Sequence, residues 1–134
     1  MDPSFAMAHY QLGQALVQVH DYDGAVLQLQ QAIELSGGNP ICASQLGYVY
    51  AVSGRRNEAL KIVGDLKNKS NRKPSYAADI ALVYAGLNEK DQAFAWLEKA
   101  YVERFNPSIL LRPAFDVLRS DSRFQDLLHR LGLS

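Results

Sequence analysis

Apolar positions along the chain fall into blocks with helical spacing, separated by short polar turns. Leu12, Gly13 and Leu16 share one face of a first segment, and Ala25, Leu29, Ala32 and Ile33 recur at i, i+4, i+7 and i+8 of the next. The arrangement returns later with Ala93, Phe94, Leu97, Ala100 and Tyr101. Small residues let paired helices approach closely, and large ones fill the space that remains. The punctuation agrees with helical hairpins. Gly54 and Gly86 fall at segment ends, Pro3, Pro40 and Pro74 fall at or just before segment starts, and Asn88 is placed to cap the next helix, with Asp91 three residues on. The pattern predicts helices over about 4–19, 22–36, 40–53, 56–69, 74–86 and 90–103.

A fixed period underlies these blocks. Gly13, Gly47 and Ala81 stand 34 residues apart, as do Ala25, Ala59 and Ala93. Tyr10-Gln11-Leu12-Gly13 falls over Ser44-Gln45-Leu46-Gly47 and over Ala78-Asp79-Ile80-Ala81, with Leu16, Tyr50 and Tyr84 following each small residue by three. Leu29, Val63 and Leu97 follow the alanines by four, and Ala32, Leu66 and Ala100 follow them by seven. This resembles the tetratricopeptide repeat, whose motif runs W-x2-L-G-x2-Y, then A-x3-F, then P. The Trp slot holds His9, Ala43 and Ala77, the Phe slot holds Leu29, Val63 and Leu97, and Ala81 replaces the third glycine. The resemblance implies an all-α, tetratricopeptide-like superhelix of three helix-turn-helix repeats at about 6–39, 40–73 and 74–107, with capping helices over 108–134. The whole chain, 1–134, then reads as a single tetratricopeptide domain.

The last stretch fits a terminator. Pro113 to Leu118 reads as a short helical turn, and a helix follows from about Asp121 to Leu131. Phe124, Leu127, Leu128 and Leu131 make an i, i+3, i+4, i+7 stripe, with Arg123, Gln125, Asp126 and Arg130 opposite. Solenoids need such a cap to close their last hydrophobic face. The stretch from Phe115 to Leu133 also resembles the tetratricopeptide tails of bacterial multidomain regulators, which implies an accessory part of a regulatory or signalling protein.

In proteins that this repeat resembles, the first helix of every unit lines a concave groove, and the side chains there select a protein or peptide ligand. Carried over slot by slot, the groove would present Met7, Tyr10, Gln14 and Gln18, then Ile41, Ser44, Gln45 and Tyr48, then Ser75, Ala78, Asp79 and Leu82. Only Asp79 among them is charged. A clamp for a terminal carboxylate needs cations in these slots, so an apolar or hydrogen-bonding peptide, or a helix resting on Tyr10 and Tyr48, fits better. The other reading has these tyrosines packing between helices, and both stay open here.

Composition narrows the function further. The 134 residues are 48% apolar and 21% charged, enough for a continuous core. Net charge is zero, which gives no reason to expect nucleic acid or an anionic membrane as partner. The balance is uneven: residues 1–39 carry Asp2, Asp21, Asp23 and Glu34 without a Lys or Arg, while residues 40–73 carry seven cations against Glu58 and Asp65. Those cations lack interleaved aromatics and read as a solvated convex face. One cysteine, Cys42, rules out an internal disulfide or a cysteine zinc cluster, and no signal or membrane-spanning segment is visible, so the expected setting is cytoplasmic.

Catalysis finds little support. His9, His20 and His129 are far apart, and no phosphate loop, H-E-x-x-H or nucleophile elbow occurs. Cys42 stands near a helix start, where a thiol pKa can fall, but reads as a packing residue. The expectation is a non-catalytic interaction module with no cofactor and no metal. Asp2-Pro3 aligns with the end of a preceding unit, so the chain reads as part of a longer protein. Phe5, Met7, Leu12, Leu16 and Val19 would then lack an upstream neighbour, which predicts a homodimer through the first helix. Shielding of that helix by Gln11, Gln14 and Gln18 is the competing expectation, and a structural spacer with no groove ligand is the competing function.

Overall fold

The computed structural model describes residues 3–70, 76–105 and 107–133. Its elements are α1 (Pro3–Gln18), α2 (Tyr22–Leu35), α3 (Pro40–Val52), α4 (Arg56–Ser70), α5 (Ala77–Gly86) and α6 (Lys90–Val102), then two 3-10 turns (Pro107–Leu111 and Pro113–Leu118) and α7 (Ser122–Arg130). No strand occurs among the described residues. Pro74 and Ser75, read as the start of the third unit's first helix, lie outside them.

Each helix end has a local cause. The Asp21 carboxylate accepts from the Gly24 amide at 3.1 Å ahead of α2, and Asn39 Oδ1 accepts from the Ile41 amide at 2.8 Å ahead of α3. Pro40 sits in the first turn of α3, where its missing N–H costs nothing. The turn inside each hairpin repeats one geometry. His20, Gly54 and Asn88, again 34 apart, all take a positive φ of 61°, 86° and 59°. The residue after each reaches back to a carbonyl of the helix just ended: Asp21 to Leu16 at 2.9 Å, Arg55 to Tyr50 at 2.8 Å and Glu89 to Tyr84 at 3.0 Å. The expected role of Asn88 as a cap for α6 is therefore corrected. Its left-handed backbone closes α5 instead, and Glu89, which precedes α6, makes no side-chain cap bond.

Packing follows the period. Ala25, Ala59 and Ala93 are each 0% exposed, and Leu29, Val63 and Leu97 behind them are buried as well. A Cβ on Gly13 would stand 2.9 Å from Leu29 Cγ, so α1 and α2 touch through glycine and leucine. At Gly47 the added atom would meet Ile62 and Val83 methyls, each at 3.0 Å, placing that glycine where α3 meets both α4 and α5. Ala81 fills the equivalent position in unit three and is fully buried. Consecutive helices pack on one another, α3 also packs on α5, and α5 additionally meets the second 3-10 turn.

The end of the array is closed by Phe115, Leu118, Phe124 and Leu127, all buried. Ion pairs fasten α7 to α6. Arg123 bonds Asp91 at 2.8 Å and lies 4.3 Å over the Phe94 ring, while Arg130 bonds Glu98 through Nη1 at 2.9 Å and stacks on Tyr101. The Arg130 hydrogen bond holds the Glu98 carboxyl below the usual glutamate range, although burial pushes the other way.

Two predictions follow from this packing. Gly13→Ala should lose about 1–3 kcal/mol because Leu29 has no room to move, whereas Gly64→Ala, mid-α4 with nothing within 4 Å of its added Cβ, should gain about 1 kcal/mol. Urea unfolding of the two variants checks the opposite signs. For Glu98, whose folded pKa is depressed, the pair contributes above the unfolded pKa and is lost as pH falls through the folded one. The contribution is about 0.2–1 kcal/mol, as for exposed pairs generally. Glu98→Gln should melt slightly below the parent at neutral pH, and the gap should close on acidification below the ordinary glutamate range. A gap that widens in acid would be the wrong sign.

Candidate functional site

The inner helices α1, α3 and α5 carry the slots that ligands use in proteins of this pattern, and their side chains fall into two environments. Met7 and Ile41 are open, at 53% and 45% exposure, and Gln18 is exposed. Tyr10, Ser44, Gln45, Ala78 and Leu82 are buried, while Gln14, Tyr48 and Asp79 are half-buried. Leu82 presents no open surface at all, which corrects the expectation that unit three lines an open groove. Ser75 lies outside the described residues.

Local bonds fix this face. The Gln14 amide donates to the Tyr10 hydroxyl at 3.1 Å, one helical turn apart. Ser44 has a single hydroxyl proton. It goes to the Ile41 carbonyl at 2.8 Å, so the 3.4 Å contact with Asp79 Oδ1 receives only a weak share. Tyr48 presses on Gly86, where an added Cβ would stand 2.7 Å from Tyr48 Cδ2. Tyr48 is thus held against α5, while Tyr10 is buried with its hydroxyl on Gln14 of its own helix, and burial pushes both hydroxyls up.

What fills the third unit is the chain's own tail. α5 meets α3, α4, α6 and the second 3-10 turn, which leaves it no free face, and Phe115 from that turn is fully buried. Arg112, between the two 3-10 turns, has a buried Nη1 with no hydrogen-bond partner among the described residues, and its positive charge opposes the upward shift that burial gives Tyr10 and Asp79. Burial raises Asp79 above the usual aspartate value, opposed by Arg112 and by the Ser44 hydroxyl. Sequence reasoning had assigned 108–134 to capping alone. The signal that could have shown more is the spacing of Leu110, Ala114, Phe115 and Leu118, which are buried while Leu111, Pro113, Asp116 and Val117 between them are exposed.

Units one and two keep an opening. A cleft of about 390 Å³ lies between the start of α1, the end of α2 and the start of α3, bordered by Met7, Tyr10, Leu35, Ile41 and Cys42. Burial pushes the Cys42 thiol up, the reverse of what an activated thiolate needs. His9 is held by Gln28 at 2.6 Å and His20 by the Tyr22 hydroxyl at 2.9 Å. Among the described residues no group of three His, Cys, Asp or Glu is placed to hold a metal ion, and no helix is long and apolar enough to cross a membrane. Arg55 and Arg56 of the basic middle unit pair with Glu58 and Glu89, and Lys67 lies over Tyr84 and Trp96.

The geometry defines an array of helical hairpins stacked in chain order. The family model described as Tetratricopeptide repeat matches residues 6–39, the unit formed by α1, its turn and α2. Residues 6–39 are thus a tetratricopeptide repeat, and the hairpins that follow on the same period make the fold a tetratricopeptide-like array. No match is found among the curated proteins or the solved structures, so the resemblance of the tail to bacterial regulators gains no support there. Repeats of this family generally serve as non-catalytic protein-binding modules.

Asp79 supplies a prediction. The Ser44 bond opposes its upward shift, so Ser44→Ala should move the Asp79 midpoint higher still, read from the carboxyl carbon by NMR titration. Because a raised folded pKa makes the charged form costly, the folded state should gain stability from this group as pH falls through that midpoint. A midpoint that drops in the variant would contradict the arrangement.

Proposed function

We propose that the domain holds a peptide or helix of a protein partner against the concave side of units one and two, at the cleft between Met7, Tyr10 and Ile41. The observation that carries the reading is the contrast in exposure: Met7 and Ile41 are large, apolar and open beside a cleft, whereas the equivalent part of unit three is already covered. Chemistry favours an apolar ligand with hydrogen-bonding groups, because Met7, Tyr10, Gln14, Ile41, Ser44, Gln45 and Tyr48 carry no charge. Neither nucleic acid nor a membrane surface is a suitable partner for a neutral chain whose basic residues Arg55, Arg56 and Lys67 are already engaged. The single buried thiol suits a reducing, cytoplasmic setting. The tail's resemblance supports an accessory role in a bacterial regulatory or signalling protein.

Peptides selected from a displayed library on the intact chain test this. The pair Met7→Glu and Ile41→Glu should weaken selected peptides more than about tenfold, roughly 1.4 kcal/mol, while leaving the melting temperature near the parent's. Val102→Glu, on an exposed residue of α6, should change nothing. Peptides indifferent to the pair would remove the cleft from the account.

A second reading rests on α1. Phe5, Leu12 and Val19 recur at intervals of seven and are 60%, 47% and 69% exposed. Ala8 and Ala15 stand between them, also exposed, so large and small residues alternate along one seam. Self-association through this seam would cover it. Sedimentation equilibrium should then show a dimer that Leu12→Glu converts to monomer, and a monomeric parent at high micromolar concentration would exclude the seam as an interface.

A further inference from the structure

α1 is apolar on two sides. Ala6, Tyr10, Gly13 and Val17 turn inward and are buried, while Phe5, Ala8, Leu12, Ala15 and Val19 form a second stripe on the far side and are all exposed. A helix at the edge of a domain needs one such stripe. The array itself shows what the second is shaped for. The residues 34 and 68 positions after Leu12 and Ala15 are Leu46 and Val49 on α3, then Ile80 and Val83 on α5, and all four are buried. α3 and α5 each have an earlier unit packed against them, whereas α1 has none among the described residues.

The far end of the array is a poor cover for this stripe. The outer side of α7 carries Arg123, Gln125, Asp126 and Arg130, all exposed, so head-to-tail stacking would set apolar side chains on charges. A second α1 fits better. The helix holds no Asp, Glu, Lys or Arg, so two copies meet without like-charge repulsion. Its spacing is also its own. Phe5 and Leu12 stand seven apart, each followed after three residues by Ala8 or Ala15, while the positions 34 and 68 after those alanines hold Cys42 and Val49, then Tyr76 and Val83. Large residues every seven with small ones between suit two helices that interlock closely. Parallel copies would set Phe5 on Phe5 and Ala8 on Ala8, and a spacing that admits the rings leaves gaps at the alanines. Antiparallel copies set each large side chain on a small one. They also place each helix start beside the other's end, and α1 has no acidic residue in its first turn and no basic one in its last to balance its own dipole.

We propose that the outer stripe of α1 docks a second copy of this chain in antiparallel orientation, with Phe5 on the partner's Ala15 and Leu12 on the partner's Ala8, each contact made twice by the two-fold symmetry. The inference rests on reading α1 as a self-association seam, and it adds the orientation and the register. Val19 lies beyond the last residue of α1, which favours this register over the one that would pair Val19 with Ala8. Phe5 to Ala15 spans about 15 Å of helix axis. That contact is small beside the interfaces of about 1,200–2,000 Å² that hold stable complexes, so the pair exchanges with monomer.

The test is disulfide trapping in the full chain, with the parent as blank because its Cys42 is buried. Chains carrying Ala8→Cys and chains carrying Leu12→Cys are mixed at high micromolar concentration and oxidised mildly, and a second set mixes Phe5→Cys with Ala15→Cys. In the proposed register each mixed pair faces across the seam, while two Ala8→Cys copies stand about 6 Å apart along the axis, out of disulfide reach once the helix spacing is added. The mixed disulfide should therefore exceed either like pair by at least about fivefold in yield. Either set decides alone, so one substitution that weakens the seam leaves the other readable. An excess of the Ala8→Cys like pair would mark a parallel seam and overturn the proposal. Equal yields of like and mixed pairs, or none above the blank, would overturn it as well. Sedimentation of the parent separates the two readings: a dimer without the mixed disulfide leaves self-association standing and removes this register, and a monomer removes both.

Discussion

Close approach between neighbouring helices is the constraint on which the molecule depends. At Gly13 there is no room for a Cβ against Leu29, and the buried alanines at 25, 59 and 93 sit opposite the same seams. With side chains this small at the crossings, the backbones come near enough for large residues on either side to interdigitate, and most of the hydrophobic stabilisation comes from there. The left-handed residues at 20, 54 and 88 reverse the chain the same way each time, each followed by a backbone bond to the helix just ended.

Much of this was legible in the sequence because it is periodic. The helix spans, the three hairpins and the stripe of Phe124 and Leu127 on α7 all follow from side chains whose role is to fill a defined volume, and volume is what a residue name conveys well. Turn chemistry was less legible. Asn88 is a good cap residue and also a good left-handed residue, and only the backbone path distinguishes the two uses. Nothing local marks His20 for the same conformation as Gly54.

The inner face was the least legible part. Its slots could be named from the repeat, but their accessibility depends on where the tail goes, and no periodic signal governs residues 107–118. Leu82 looked like a lining residue and is enclosed. Single-sequence reasoning weighs each side chain by its usual habit, and Arg112, whose Nη1 is buried without a hydrogen-bond partner among the described residues, departs from habit. The charge pattern behaved more simply, since Arg55, Arg56, Arg123 and Arg130 all found acids nearby at exposed or half-exposed positions.

The packing of the second 3-10 turn on α5 also bears on how the array comes apart. A linear stack of hairpins, each touching only its neighbours, can fray from either end one unit at a time. Here the tail closes on α5 and α6, burying Phe115 and Phe124 at that end. Unfolding should therefore begin at α1, whose outward side chains Phe5, Leu12 and Val19 are already exposed, and spread toward the closed end.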